Sequence, residues 1–319
     1  MKKRYLVVGA YGLAGAALAA KLLSRPRDVE WKEHAAHLPH ATRSKFVEVD
    51  GVRVHYQEAG EPGAPPVFLV HGFCASTFVW SDVFLPIAGM GYRVIVPDLI
   101  GFGFSEKPRR GSYTIDAQSR MIVGLMDELK IKRAALVGSS YGGAVAATCA
   151  LDYAERVTRL VLVGAVSNDE VKSQFLLRLA ASPVMGDLVS PLLIDSPRLM
   201  RWRMSKVYSD TNAHLFDDVR MAAHHLPLRA ANTQRAVLLT LRRWSAARIE
   251  RDAHRIAQPA LLVWGEDDHD VPLRNGERLH ARMPNARLVV FRRCGHLPQE
   301  ERPDEFAGLV AGFCRTHES

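Results

Sequence analysis

From Lys45 the chain alternates apolar and polar positions, first as KFVEVD and then, after Gly51, as VRVHYQEAG. A period of two is the mark of half-buried strands, and the glycine between them predicts a hairpin. Beyond it the pattern changes to continuous apolar runs: VFLVHG (67–72), YRVIVPD (92–98), RAALVGSS (133–140), RLVLVGAV (159–166), ALLVWGED (260–267) and RLVVFRRCGH (287–296). Stretches with helical periodicity separate them. Unbroken β-branched runs suit strands covered on both faces, as in a parallel sheet with helices above and below. The hairpin and the six runs together predict a mostly parallel eight-stranded α/β sheet. The regular spacing fails once, because Val166 and Ala260 are about ninety residues apart, with a helical pattern, several prolines and no convincing strand. An insertion at that point lies above the C-terminal edge of the sheet, where open α/β sheets hold ligands. There is no internal repeat and no low-complexity segment.

Before the hairpin, two segments follow a different grammar. Residues 1–23 have a basic start (Lys2, Lys3, Arg4), an apolar run and small residues, with Gly9, Gly12 and Gly15 at a three-residue spacing. Such glycines after a short β-rich run also suit a dinucleotide-binding turn. That reading fails on length, since only about forty residues precede the first strand and none of them forms a second strand with an acid placed for a ribose. The segment is therefore read as a signal peptide or an uncleaved membrane anchor. Residues 24–44 are charged and rich in histidine, and read as a linker. Their His34, His37 and His40 have a spacing open to metal ligation, a minor reading in so polar a stretch.

Composition narrows the partners. The 319 residues are 48% hydrophobic and 24% charged, with a formal net charge of +8. No block of like charge suggests a nucleic-acid arm. Only RWRMSK (201–206) and LRRW (241–244) are locally dense, so the excess is read as a solvated surface, with an anionic membrane surface as the alternative partner. Cys74, Cys149, Cys294 and Cys314 have neither CxxC nor zinc spacing and are read as free thiols, one disulfide remaining open.

The chemistry is concentrated at LVGSSYGGAVAA, 136–147. A buried strand runs into Gly138-Ser139-Ser140-Tyr141-Gly142 and then an alanine-rich helix, the G-x-S-x-G turn in its required strand–turn–helix setting. Ser140, with glycine on both sides at two residues' distance, is the candidate nucleophile, and Ser139 a packing residue. A serine hydroxyl needs a base. Of thirteen histidines, His296 stands just past the last strand, in a loop able to reach over the sheet. His224 and His225 lie in the insertion, either touching substrate or exposed, and His254 and His269 flank another loop. The base needs an acid to fix its tautomer. Glu266, Asp267, Asp268 and Asp270 follow the strand ending at Gly265; Asp268 is favoured, third after that glycine, with Asp267 second. An oxyanion needs backbone N–H donors, assigned to Phe73 in HGFCAS (71–76) and to Tyr141 after the nucleophile. His71 and Asp98, the latter opening DLIGFGFS, are read as organisers of their loops.

In this order the motifs resemble the α/β-hydrolase family over roughly residues 45–315. The HG-x oxyanion motif matches His71-Gly72-Phe73, and the D-x-x-G-x-G-x-S turn matches Asp98, Gly101, Gly103 and Ser105. The nucleophile elbow matches Gly138 to Gly142, the G-x-x-D-x-x-V-P acid loop Gly265 to Pro272, and G-H-x-P Gly295 to Pro298. Ile100 stands where many relatives have proline. The resemblance implies an α/β-hydrolase core (45–166 and 256–319) with a helical cap at 167–255. It also implies a Ser-His-Asp hydrolase with no metal or organic cofactor. Serine at the elbow, not aspartate, favours acyl transfer over epoxide or haloalkane hydrolysis. An ester with an apolar acyl or aryl group, including monoacylglycerol-type lipids, is the expected substrate. Perhydrolase and C–C hydrolase activity share the triad; HGFCAS, lacking the HG-x-GPG of many C–C hydrolases, points away from the latter. A ligand receptor with vestigial turnover is the alternative outside enzymes. Neither nucleic acid nor an obligate protein partner is expected.

The opening segment is also similar to the single apolar segment of membrane-anchored monoacylglycerol-lipase-like hydrolases, which favours an anchor; cleavage at Ala17-Leu18-Ala19 would instead give an exported protein. The full chain is expected to sediment with membranes and a chain starting near Arg43 to stay in the supernatant. Equal solubility of the two would remove the anchor.

Overall fold

The computed structural model describes residues 31–35, 38–170 and 196–315, with positions 178, 181, 182 and 186 between them. The apolar segment 1–23 and His37 lie outside the described residues. Eight strands form one sheet in the order β1-β2-β4-β3-β5-β6-β7-β8. They are β1 (Ser44–Val49), β2 (Val52–Ala59), β3 (Pro66–Val70), β4 (Arg93–Pro97), β5 (Ala134–Ser139), β6 (Val157–Val163), β7 (Ala260–Gly265) and β8 (Ala286–Phe291). The β1–β2 hairpin is antiparallel, as is β2 to β4, and every other pairing is parallel. All eight strands lie where the apolar pattern puts them. The run 287–296 is the exception in length, because pairing with β7 ends at Phe291 and 292–296 form a loop.

The central strands bury both faces, and the two faces feed separate cores. Phe68, Leu136, Leu160, Leu162 and Leu262 point to one side, with helices α2 (Ile115–Glu128) and α3 (Tyr141–Asp152). Leu69, Val137, Val161, Val163 and Leu261 point to the other, against α1 (Ser81–Gly89) and the C-terminal α10 (Pro303–Arg315). Successive residues thus serve opposite cores, which is why no polar position interrupts the runs.

Between β6 and β7 the described residues are helical: α4 (Pro197–Met204), α5 (Asp218–His225), α6 (Thr233–Arg243) and α7 (Ala247–Asp252). Ser196 and Asp217 cap α4 and α5 by accepting from Leu199 N and Arg220 N. After β7 come α8 (Arg274–Arg282) and, beyond β8, the short α9 (Pro298–Glu301). The segment read as a linker is packed down at its C-terminal end. Trp31 lies against Phe46, His55 and Phe104, and His40 Nε2 bonds Ser81 O at 2.9 Å. All four cysteines are free thiols. Among the described residues no helix is long and apolar enough to cross a membrane, and no cluster of potential metal ligands occurs.

Leu162→Ala, at a fully buried central position, is expected to lower unfolding free energy by about 2–5 kcal/mol. Val290→Ala on the exposed side of β8, at 39% exposure, is expected to change it by no more than about 0.5 kcal/mol. Urea titration of both variants measures the contrast.

Candidate active site

The site begins at the turn from β5 into α3. Ser140 N donates to Val163 O at 2.8 Å, and Ser140 O accepts from Gly143 N and Val166 N. These bonds hold Ser140 at φ 55°, ψ −118°, a region costly for a residue with a Cβ. The flanking glycines permit the turn. A Cβ on Gly138 would sit 2.3 Å from Gly142 O, and one on Gly142 would sit 2.2 Å from Val70 O. Ser140 is half-exposed at the N-terminus of α3, whereas Ser139 is buried with its Oγ 3.5 Å from Gln299 Nε2. The neighbouring serines are thus separated by accessibility.

The histidine and acid loops meet beside this turn. His296 Nδ1 donates to Asp268 Oδ2 at 2.7 Å, while Asp268 Oδ1 accepts from Asp270 N and Val271 N, each at 2.9 Å. With His296 5% and Asp268 4% exposed, the pair is shielded from water. Gly164 forms the floor between this pair and the elbow. It follows Val163, whose carbonyl takes the Ser140 N–H, and a Cβ there would lie 2.9 Å from His296 Nδ1 and 3.0 Å from Asp268 Oδ2. Burial disfavours a charged imidazole at His296. The Asp268 charge and hydrogen bond, with help from Asp270, outweigh it and raise the histidine above its ordinary value. Among the described residues Ser140 Oγ is not hydrogen-bonded to His296. Such contacts are often long without ligand and tighten when substrate binds.

Each of the four acids after β7 has its own partner. Glu266 accepts from Arg293 N, Asp267 from Ser209 Oγ, and Asp270 from Arg203, leaving Asp268 to His296. The preferred acid therefore faces the histidine and Asp267 does not. Of the two readings of His224 and His225, exposure does not hold, since both are buried. His224 lies 3.3 Å from Glu300 and against Phe78 and Phe216, because the insertion folds that face of α5 onto the core.

The loop after β3 lies directly against the elbow, with the Gly72 Cβ direction ending 3.1 Å from Ser140 Cβ. Phe73 is the next residue, and Tyr141 N is one of the N–H groups at the start of α3 that have no partner within the helix. The loop carrying Phe73 and the first turn of α3 thus both adjoin the serine. His71 donates through Nδ1 to Gly72 O and accepts through Nε2 from Leu99 N; burial keeps it below its ordinary value, hence neutral. Asp98 accepts from His55 Nδ1 at 2.7 Å, Thr77 N at 2.7 Å and Phe104 N at 2.8 Å. Burial raises this carboxyl, but the facing His55, His71 and the donor bonds win and leave it below the ordinary value. Both residues organise loops. Sequence reasoning missed an aromatic cluster under the elbow loop. Phe73 packs on Phe102, Tyr141 and Trp244, with ring centroids 5.9, 6.3 and 5.6 Å apart. Phe102 stands in the GFGFS turn, but Trp244 comes from the insertion, in the stretch notable in sequence only for its arginines.

Residues 65–303 match the family described as the alpha/beta hydrolase fold. The chain belongs to that family. An uncharacterized hydrolase of Bacillus subtilis is 30% identical over 273 residues, covering 84% of this chain and 96% of the relative. A 2-hydroxy-6-oxononadienedioate/2-hydroxy-6-oxononatrienedioate hydrolase of Burkholderia vietnamiensis is 34% identical over 294 residues, covering 88% and 98%. A crystallised meta-cleavage product hydrolase of Pseudomonas fluorescens is 30% identical with a TM-score of 0.71, over 85% of this chain and 97% of that one. The HGFCAS segment, expected to point away from C–C hydrolases, therefore does not separate the chain from relatives so named. Six residues of a backbone loop carry less of the likeness than the whole sheet and its site loops do.

Because a histidine raised above its ordinary value of 6.5 stays protonated to higher pH, loss of activity on acidification is expected to begin above that pH. Asp268→Asn removes the charge that raises it, and burial then pulls it down. The variant's acid limb is expected to move to lower pH, while kcat falls on the order of 10⁴-fold as the tautomer is lost. A pH profile of kcat/KM for both proteins checks the pair.

Proposed function

We propose that this α/β-hydrolase opens carboxylic esters through an acyl-enzyme on Ser140. The observation that carries the reading is the buried His296–Asp268 pair, set across Gly164 from a serine held at positive φ at the N-terminus of α3. In this mechanism His296 takes the Ser140 proton as Oγ attacks the carbonyl. The amides of Phe73 and Tyr141 hold the tetrahedral oxyanion, and His296 returns the proton to the leaving alcohol. Water then repeats the path and frees the acid. Asp268 fixes the imidazole orientation and stabilises its charged form. No step calls for a metal or organic cofactor. The insertion reaches this site through Trp244, and the partly buried Phe73 beside the elbow suits an apolar acyl or aryl group.

A second reading, hydrolysis of a C–C bond next to a ketone, draws on the relative named as a meta-cleavage product hydrolase and the one named for 2-hydroxy-6-oxo dioates. It uses the same serine addition but expels a carbon leaving group that must be protonated at carbon. The substrates in those names carry carboxylates, which call for a cation. The insertion's Arg203 and Arg220 are committed to Asp270 and to Asp82 and Glu300. Arg203 is nonetheless half exposed and its charge reaches His296, so it is the cation that this second reading would use.

A fluorophosphonate is expected to label the wild type and not Ser140→Ala. No labelling of the wild type, or labelling that persists in the variant, would overturn a serine hydrolase and favour a ligand receptor. Turnover of p-nitrophenyl esters and monoacylglycerols is expected to exceed that of 2-hydroxy-6-oxo-dienoates. The reverse order assigns the protein to C–C cleavage.

A further inference from the structure

One stretch of the insertion, Val207–Asn212, follows α4 and reaches both loops that carry the His296–Asp268 pair. Val207 O accepts from His296 N at 2.7 Å. Ser209 Oγ donates to Asp267 Oδ2 at 2.6 Å, within the acid loop. Ser209 N and Asn212 Nδ2 donate to Glu301 Oε2 at 3.0 and 2.9 Å, and Asn212 Nδ2 also reaches Arg293 O at 2.9 Å. The other oxygen of Glu301, Oε1, accepts from Gly295 N at 2.8 Å. The approach is so close that a Cβ on Gly295 would lie 2.4 Å from Val207 O and 2.6 Å from Ser209 N.

Glu301 is 4% exposed, and the proposed ester mechanism gives it no role. A buried carboxylate is retained at a cost unless its oxygens are satisfied. Here the oxygens accept from N–H donors on the insertion and on Gly295 and Leu297, the two neighbours of His296. Its neighbour Glu300 grips the same insertion, accepting from Tyr208 OH and Arg220 Nη1, with His224 beside it. The two carboxylates stand on α9, which starts two residues after His296.

We propose that Glu301 is a positioning residue for His296, the anion through which segment Val207–Asn212 sets the histidine loop against Asp268. It rests on the reading of His296 as the general base. Asp267 N also donates directly to Cys294 O at 2.9 Å, so the two loops touch, and the insertion segment adds the restraint on residues 295 and 296. Glu301 touches neither substrate nor Ser140; it acts by fixing the backbone of residues 295 and 296.

Glu301→Gln tests this while keeping side-chain volume. The amide retains one acceptor oxygen and turns an NH₂ group towards donors at its other end, so one of the two attachments is lost. Per folded molecule, counted by thermal unfolding and circular dichroism, the second-order rate of labelling by a small fluorophosphonate is expected to fall about 10- to 100-fold, the scale of an ångström misplacement. Ester kcat is expected to fall with it and KM to change little. Asn212→Ala, on the half-exposed side of the contact, gives a smaller loss in the same direction and decides the matter if Glu301→Gln does not fold. Wild-type labelling rates in the folded variants overturn the positioning role, even where unfolding temperature drops. Failure of the wild type itself to label overturns the triad reading, and this inference with it.

Discussion

The site depends on backbone pressed against backbone where β5 meets α3. Gly138 faces the carbonyl of Gly142, and Gly142 faces the carbonyl of Val70, at separations that no side chain tolerates. That close packing leaves Ser140 at positive φ, a strain of about 1–3 kcal/mol that the surrounding sheet must absorb. The hydrogen bonds of Ser140 to β6 and to Val166 supply the restraint. Exposure of the serine hydroxyl, the approach of the Gly72–Phe73 loop and the floor at Gly164 all follow from this geometry.

Two buried His–Asp pairs show how surroundings assign a role to identical chemistry. His296–Asp268 and His55–Asp98 are each joined through Nδ1 at 2.7 Å. Asp98, however, also accepts from Thr77 N and Phe104 N, and His55 is enclosed by Trp31, Phe46 and Phe104. Its pair ties together the loops after β3 and β4. Asp268 spends its second oxygen within its own loop, and the His296 it holds lies against Gly164, next to the strand end that binds Ser140 N. A buried ion pair can thus be scaffold or machinery according to what its far edge meets.

The sheet was legible because its signal is local. Strand-by-strand burial on both faces writes itself as continuous apolar runs, and Leu136 pairs with Leu160, and Leu162 with Leu262, in the runs that revealed β5, β6 and β7. Ser140 was legible for the same reason, its turn being encoded in five consecutive residues. Other features left weaker traces. Trp31 and His40 pack onto the core from a stretch that reads as linker, because a few anchoring contacts need no periodicity. His224 and His225 carry the sequence signature of surface residues, yet α5 turns them inward.

By itself, then, the sequence determined the strand pattern, the elbow, the interrupted spacing that marks the insertion and the residue types available for chemistry. Each of these is set by short-range periodicity or by a turn that only certain residues can make. The tertiary structure decided which residues meet. It distributed Glu266, Asp267, Asp268 and Asp270 among four different partners, brought Trp244 onto Phe73, and seated Val207–Asn212 against both the acid and the histidine loop. Those contacts join residues far apart in the chain, and their formation depends on how the insertion packs, which no local pattern records.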